Sequence, residues 1–356
     1  MIEAAAVPGQ ALPPGWSFAC PDWQDRIRGL RSLMPTLPLN QQEAKRAVAI
    51  FDNLRVPDVD GLPTFGKVAG GWFREIVAAV FGSYDVVTAH RVVRELFLLV
   101  PKKNAKTTNA AGLMMTAMLM NRRPRGRFVL TGATQAISDI GFGQAIGMID
   151  VDDLKEKERS GDSAEGFLKK RFKTNESKKE IKDRKTSATL QVRTFDPDIL
   201  TGPPLAGCAI DELHLLGKDS AAARVIGQIR GNMVSQTEAF LAFITTQSDQ
   251  PPAGAFAAEL MKARAIRDGK FIGEMLPVLI EFPPDMVKSG AWKNPVNWPM
   301  VTPNLNRSIT IDRLIKEHSA ADFAGEAEMR RWASQHLNIE IGLALASDDW
   351  VGALHW

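Results

Sequence analysis

The sequence predicts an α/β fold, with a mainly parallel sheet flanked by helices. Three observations predict it. Short apolar runs alternate with helical stretches from residue 96 onwards, a polar loop ending in Lys106 and Thr107 joins one such run to a helix, and another run ends in Asp211 and Glu212. Strands that alternate with helices favour parallel pairing with helical crossovers. Ligands of such sheets bind at the carboxyl ends of the strands, where both polar clusters fall.

Hydrophobic periodicity places the individual elements. The predicted helices cover residues 23–33, 41–54, 72–81, 107–120, 135–149, 220–230, 254–268, 311–319 and 325–335. The predicted strands cover residues 96–100, 128–131, 189–195, 205–210, 239–245 and 274–282. The charged stretch between the second and third strands, residues 150–186, is predicted to be an insertion.

The strand, loop and helix around residues 96–120 have the layout of a phosphate-binding loop. In such a loop the N–H groups at a helix N-terminus face an anion, a lysine reaches the outer phosphates and a hydroxyl ligates Mg²⁺. The pattern G-x-x-x-x-G-K-[ST] would place glycines at two positions that are Val100 and Ala105 here. Taken alone, the loop is therefore equally compatible with a plain strand-to-helix turn that carries exposed lysines.

The acidic pair Asp211-Glu212 strengthens the nucleotide interpretation. A strand that ends in two carboxylates suits a nucleotide hydrolase, because one acid can order the Mg²⁺ shell while the next polarises the attacking water. The alternative is a helix N-terminus with favourable acids in its first turn. The two stretches together favour a nucleotide site.

Composition narrows the protein class. The 356 residues include no run of eighteen apolar residues, so no membrane span is expected. Cys20 and Cys208 are too few for a disulfide framework, which favours a reducing cytosolic compartment. The five histidines lack the spacing of zinc ligands. The basic run within residues 155–185 could contact nucleic-acid phosphates, but interleaved acids make a solvated loop an equal alternative.

Four segments in order resemble the ATPase half of the large terminases of tailed bacteriophages, the motors that pump DNA into procapsids. They are residues 100–108, 209–214, 244–249 and 335–338, and the likeness spans roughly residues 70 to 345. The resemblance implies a P-loop NTPase fold of the additional-strand, conserved-glutamate (ASCE) type with a small helical lid subdomain.

The resemblance also implies a division of the chain. Residues 1–60 would be an irregular and helical extension, residues 61–290 the P-loop ATPase core with its insertion, and residues 291–345 the helical lid and linker. Residues 346–356 would be a tail leading to the nuclease domain of intact family members, which is absent here. Asp348 and Asp349 alone cannot form a two-metal site, so no DNA cleavage is expected from this chain.

Carried over position by position, the resemblance assigns candidate residues. Lys106 would hold the β and γ phosphates, Thr107 and Asp211 would ligate Mg²⁺, and Glu212 would activate water. The nucleotide-binding set is Lys102, Lys103, Asn104, Ala105, Lys106, Thr107, Thr108 and, by stacking only, Trp72. The residues that couple hydrolysis to movement would be Thr245, Thr246 and Gln247, although a polar strand end that satisfies its own backbone is the alternative for this motif.

An arginine from a neighbouring subunit would complete the charge on the phosphates, and Arg224 and Arg230 are the candidates, with a surface salt bridge as the alternative role. The expected cofactors are ATP and Mg²⁺. The expected partners are double-stranded DNA, portal protein, small terminase subunit and further copies in a homo-oligomeric ring, although the isolated chain could be a monomer. No membrane is involved, and the expected location is the cytoplasm of the bacterial host.

The function expected from the resemblance is Mg-ATP hydrolysis coupled to translocation of double-stranded DNA into a procapsid. Two alternatives stay open. A helicase-like DNA translocase fits the Asp-Glu-Leu-His sequence, although the length leaves no room for a second motor domain. A non-hydrolysing nucleotide- or DNA-binding assembly module fits the missing loop glycines.

Overall fold

The computed structural model describes residues 12–196 and 204–342. The predicted tail with Asp348 and Asp349 therefore lies outside the described residues. The strands are β1 (Tyr84–Asp85), β2 (His90–Arg91), β3 (Glu95–Leu99), β4 (Arg127–Gly132), β5 (Phe172–Asn175), β6 (Glu180–Asp183), β7 (Thr189–Thr194), β8 (Gly207–Asp211), β9 (Phe240–Thr245) and β10 (Met275–Leu279).

The helices of the described residues flank these strands. They are α1 (Trp23–Arg28), α2 (Gln41–Asn53), α3 (Phe65–Val68), α4 (Gly71–Gly82), α5 (Lys106–Met120), α6 (Gln135–Ser160), α7 (Phe167–Arg171), α8 (Ala222–Met233), α9 (Gly254–Arg267), α10 (Pro284–Lys288), α11 (Ile311–Ala324) and α12 (Glu326–Leu337). Shorter 3₁₀ turns cover Leu213–Lys218, Ala291–Lys293 and Pro295–Val301. None of the described helices is both long and apolar enough to cross a membrane.

Eight strands form one sheet in the order β10-β3-β9-β8-β4-β7-β6-β5. The pairs from β10 to β7 are parallel, and β6 and β5 add an antiparallel edge. The predicted α/β class is confirmed. Strand β9 lies between β3, which leads into the polar loop, and β8, which carries the acids, so the expected additional strand is present.

The central strands are buried along their whole length because helices cover both faces of the sheet. All five residues of β3 and all six of β9 are buried, as in sheets that read as continuous apolar runs. Helix α5 packs on α2 and α6 on one side, and α9 packs on β10 and β3. The carboxyl ends of β3, β9 and β8 therefore rest on a packed core that fixes the loops following them.

The insertion at residues 150–186 differs from the prediction. The sequence predicts that helix α6 ends at residue 149, but the helix continues to Ser160, because ion pairs such as Lys157–Asp153 (2.9 Å) support its polar second half where apolar periodicity is absent. The remainder is not only a solvated loop. Hairpin β5–β6 extends the sheet and buries Phe172 and Ile181 against the core.

Helices α11 and α12 form the pair predicted near the C-terminal end. They pack around Trp298, whose ring centroid lies 5.1 Å from that of Trp332 and 5.5 Å from that of His318. Asn304 and Gln335 of this region also contact the polar loop after β3. The lid role of this region stays a prediction.

Candidate active site

The site lies where three neighbouring strands end. Leu99 of β3 pairs with Thr245 of β9, and Asp211 of β8 pairs with Ile244 of β9. The Val100 N–H donates to the Thr245 carbonyl at 3.0 Å, and the Glu212 N–H donates to the Ile244 carbonyl at 2.8 Å. Strand β9 therefore sets the distance between the loop and the acids.

The loop between β3 and α5 contains two non-glycine residues in a left-handed conformation. Lys103 has φ 67° and Ala105 has φ 56° and ψ 36°, both in the left-handed region that favours glycine. Ala105 is the N-cap of α5 and provides no side-chain acceptor. The N–H groups of the first turn of α5 are thus free to face an anion.

Asn104 holds the loop from inside. Its side chain is 1% exposed, and its amide nitrogen donates to the carbonyls of Pro101 and Lys102, each at 3.1 Å. Its amide oxygen accepts from the Asn304 N–H at 2.9 Å. The Asn304 side chain in turn accepts from the indole N–H of Trp72 at 2.9 Å. Asn104 and Trp72, both predicted to bind nucleotide, are engaged here in supporting the loop.

The C-terminal region supports the outer side of the loop. The Lys102 N–H donates to the Gln335 carbonyl at 2.8 Å, and the Ser308 hydroxyl donates to the Lys103 carbonyl. Lys102 is partly buried, and this burial lowers the pKa of its ammonium group. Lys103 is exposed. The left-handed residues of the loop are therefore held between β3 and the segment that includes α12.

The lysine-threonine start of α5 meets the acidic pair directly. The Thr107 hydroxyl donates to Asp211 Oδ2 at 2.6 Å, and Lys106 Nζ lies 3.7 Å from Glu212 Oε1. Lys106 is 6% exposed and Asp211 1% exposed. Two groups that are 104 residues apart in sequence thus form one buried polar centre.

Burial and neighbouring charges move the two acids in opposite directions. Burial, helped by the adjacent Glu212 charge, raises the pKa of Asp211, and the Thr107 hydrogen bond only partly opposes this. Burial alone would raise the pKa of Glu212 as well, but the Lys106 ammonium, His214 and Lys102 outweigh it and lower that pKa. The neighbouring cations therefore favour the ionised form of Glu212 more strongly than that of Asp211.

His214 is a site residue that the sequence does not single out, although it follows the acids by only two positions. Its Nδ1 lies 3.3 Å from Glu212 Oε2 and 3.2 Å from the Thr245 hydroxyl, and its backbone N–H donates to the same hydroxyl at 3.0 Å. The Thr245 hydroxyl donates to the Thr246 carbonyl at 2.9 Å. His214 thereby connects the second acid with the end of β9.

The strand end continues into the C-terminal segment through Gln247. Its N–H donates to Asn338 Oδ1 at 2.9 Å, and the Asn338 amide donates to the Ile280 carbonyl at 2.8 Å. The Gln247 side chain reaches Glu340 Oε2 at 3.4 Å. Residues 245–247 therefore lie between the acidic pair and the segment after α12, which is a suitable position for the predicted coupling role.

The donor set suits a hard divalent cation that also binds phosphate. Thr107 and Asp211 present a hydroxyl and a carboxylate, and Mg²⁺ prefers oxygen ligands and often takes only one or two carboxylates together with substrate phosphates. Within residues 12–196 and 204–342, no three His, Cys, Asp or Glu side chains gather into a metal site. A Mg²⁺ ion at this centre would thus depend on phosphate and water for its other ligands.

The two candidate arginines lie in different surroundings. Arg230 contacts Glu95 and Glu259, each at 2.7 Å, and Glu95 begins β3 at the edge of the sheet opposite the loop. Arg230 is therefore committed to a salt bridge within its own chain, which is the alternative role that the sequence allows for it. Arg224 is exposed in the first turn of α8, and no described residue holds it in a salt bridge.

A cavity of about 620 Å³ lies beside the loop. Its lining includes Asp58, Lys103, Thr108, Asn109 and Arg307. The Asn109 side chain is 2% exposed, and its amide nitrogen has no hydrogen-bond partner among the described residues. Trp72 instead lines a separate cavity behind Asn304. The cavity beside the loop is thus a polar space next to the helix start.

Comparison with known proteins identifies the family of this chain. Residues 71–261 match the family model described as the ATPase domain of the terminase large subunit, which covers more than half of the chain. No curated protein matches the chain significantly.

Among solved structures, the HK97 bacteriophage large terminase is similar in fold. It superimposes with a TM-score of 0.63 and 14% identity over 83% of this chain and 55% of the other. A large terminase from a thermophilic bacteriophage in complex with ADP gives a TM-score of 0.32 and 14% identity over 68% of this chain and 45% of the other. The ATPase domain of the Thermus phage P74-26 large terminase gives 0.32 and 12% identity over 43% and 59%. This chain thus spans about half the length of the HK97 protein.

Proposed function

Because the chain belongs to the family of the large terminase ATPase domain, we propose that it hydrolyses Mg-ATP and couples hydrolysis to translocation of double-stranded DNA into a procapsid. The observation that carries the proposal is the contact of the Lys106-Thr107 helix start with Asp211-Glu212 across the end of β9. A helix start that offers free N–H groups, a lysine and two acids provides what phosphoryl transfer requires.

The residues of the centre have distinct roles in this proposal. The first-turn N–H groups of α5 and the Lys106 ammonium bind the β and γ phosphates. Thr107 and Asp211 would hold Mg²⁺, which would neutralise charge on the phosphate oxygens. Glu212 orients the attacking water and accepts its proton.

The nucleoside part of ATP is assigned to the cavity beside the loop. Its volume of about 620 Å³ is within the usual range for a small-molecule site. The unpartnered amide of Asn109 provides a donor, and Asp58 and Arg307 provide polar groups at the wall. Trp72 donates its indole N–H to Asn304 and lines a different cavity, so it is a weaker candidate for base stacking.

The wider assembly follows from the family. We propose that the chain acts as a homo-oligomeric ring on DNA in the host cytoplasm, together with a portal protein and a small terminase subunit. Arg224 is the better candidate for the arginine supplied to a neighbouring subunit, because Arg230 is held by Glu95 and Glu259. Family membership favours this function over a helicase-like translocase.

The substitution Glu212→Gln tests the proposal. It keeps the size of the side chain but removes the base, so we expect ATP turnover to fall by roughly 10²- to 10⁴-fold while a non-hydrolysable analogue still binds. Glu165→Gln, at an exposed position, is the matched control and should leave turnover unchanged. In mixed assemblies, Arg224→Ala subunits should reduce the turnover of their unaltered neighbours.

Two results would contradict the proposal. Turnover that survives in Glu212→Gln would place the base elsewhere. Nucleotide binding by the unaltered chain without turnover, with DNA and Mg²⁺ present, would instead favour the non-hydrolysing assembly module.

A further inference from the structure

The hairpin β5–β6 and its flanks concentrate the positive charge of the chain. Residues 169–185 contain nine basic side chains and three acidic ones, so the segment has a formal charge of +6, whereas the whole chain has +3. The rest of the chain is therefore negative on balance. Such asymmetry of charge is typical of a surface that meets a polyanion.

Most of these basic groups are not neutralised within the protein. Arg171 is held by the buried Asp183 at 2.7 Å, and Lys179 pairs with Asp139. Lys169 lies 3.8 Å from Asp150. Six others are exposed and form no side-chain hydrogen bond or ion pair with any described residue; these are Lys170, Lys173, Lys178, Lys182, Arg184 and Lys185. Their charge is thus available to an outside partner.

The hairpin register brings two of these lysines together. Lys173 of β5 lies directly opposite Lys182 of β6, and both point away from the core side occupied by Phe172 and Ile181. Facing residues of an antiparallel pair have Cβ atoms about 5 Å apart, and like charges there are destabilising. The Arg184 N–H continues the ladder by donating to the Arg171 carbonyl at 2.9 Å. A phosphate backbone along this row would relieve the repulsion.

The hairpin is also distant from the nucleotide centre. Three strands, β4, β7 and β6, separate β8 from β5, so at about 4.8 Å per step the edge strand lies roughly 19 Å from the acids. A partner can therefore contact the hairpin without blocking the centre, and substitutions there leave the catalytic residues in place.

From these observations we infer that the hairpin β5–β6, with Lys173 and Lys182 at its centre, binds the phosphate backbone of double-stranded DNA. The inference rests on the proposed function and deepens it by naming a surface for its polyanionic substrate. Contacts of lysine with phosphate position the duplex without reading its sequence, so binding at this surface should be insensitive to sequence.

The test is duplex binding by the double variant Lys173→Gln/Lys182→Gln, measured by fluorescence anisotropy over a series of salt concentrations. Each phosphate contact contributes about 0.9 to the slope of log affinity against log salt, so the slope should fall by about 2, equally for unrelated sequences. Lys173→Arg/Lys182→Arg should restore it. The matched control Lys288→Gln/Lys316→Gln makes the same change in net charge at exposed lysines elsewhere and should keep the slope.

The outcomes separate this inference from rival explanations. An equal decrease of the slope in the control variant would show that net charge alone explains the effect, and this result would overturn the inference. Unchanged DNA binding together with new self-association of the variant would mean that the lysines prevent pairing of the edge strand with other chains, and this result would also overturn the inference. If the double variant does not fold, Arg184→Gln/Lys185→Gln provides the same test outside the strands. ATP turnover measured without DNA should be the same in all these variants as in the unaltered chain. A lack of ATP turnover in the unaltered chain would contradict the proposed function and not the DNA surface.

Discussion

Replacing Ala105 with glycine should stabilise the protein, although the same change in a helix is normally harmful. Ala105 has φ 56° and ψ 36°, and a left-handed residue with a Cβ costs roughly 1–2 kcal/mol. Glycine removes this cost but loses about 0.5–1 kcal/mol because the unfolded chain becomes freer. The net expectation is a gain of about 0.5–1 kcal/mol in the free energy of unfolding.

Ala49 provides a control with the opposite sign. It is an exposed residue inside α2, where the backbone is right-handed helix. Ala49→Gly should therefore reduce the free energy of unfolding by about 1 kcal/mol. In urea unfolding followed by circular dichroism, a slope of about 3 kcal/mol/M converts these changes into midpoint shifts of roughly 0.2–0.3 M in opposite directions.

The reasoning fails if both variants lower the midpoint. Such a result would mean that Ala105 bears no conformational cost in solution and that the loop adopts another backbone. A midpoint that rises for Ala105→Gly and falls for Ala49→Gly would instead support a loop that keeps the shape of a glycine-containing phosphate loop.

Two further predictions concern buried polar groups. Asn104→Ala should lower the free energy of unfolding by about 2–3 kcal/mol, because it leaves buried backbone partners without hydrogen bonds. The control Asn53→Ala, at an exposed helix position, should lower it far less in the same urea assay. Burial alone would raise the pKa of Glu281 above its ordinary value of 4.5, but the guanidinium groups of Arg264 and Arg267 lower it to about 2. A pKa that is lower in the folded state than in the unfolded state stabilises the fold above pH 4.5, and this stabilisation is lost as the pH falls towards 2. The loss amounts to roughly 3 kcal/mol in the free energy of unfolding. Glu281→Gln should remove this part of the acid dependence. An unchanged acid profile would refute the pairing.

The fold and the centre of the site could be predicted because their signals are local. Buried strands such as β3 and β9 appear in the sequence as short apolar runs. Lys106 follows β3 after a short loop, and Asp211 is the last residue of β8. Parallel strands bring their carboxyl ends to one edge, so the meeting of these residues follows from topology. The family resemblance drawn from the four segments is likewise confirmed by the match over residues 71–261.

Other features depend on partners that are distant in sequence. Arg230 looks like an exposed arginine on a helix until Glu95 and Glu259 are brought beside it by folding. Asn104 looks like a loop residue able to contact a ligand, but its bonding is satisfied by a backbone N–H two hundred positions away. The hairpin β5–β6 is not predicted from the sequence because its strands are only four residues long. Each strand has few buried apolar residues, and the many charged residues around them hide the alternating pattern of a strand.

The missing loop glycines do not favour a non-hydrolysing protein. Glycine is needed in a phosphate loop for positive φ and for close approach of the backbone to the ligand. Ala105 provides the positive φ at a cost of roughly 1–2 kcal/mol, and its methyl group is the smallest side chain after the hydrogen of glycine. The three hydrogen bonds of the buried Asn104 side chain and the contacts from Ser308 and Gln335 are together sufficient to offset a cost of that size. The chain thus obtains the required backbone by tertiary contacts with its C-terminal segment, so changes in that segment should act on the phosphate loop directly.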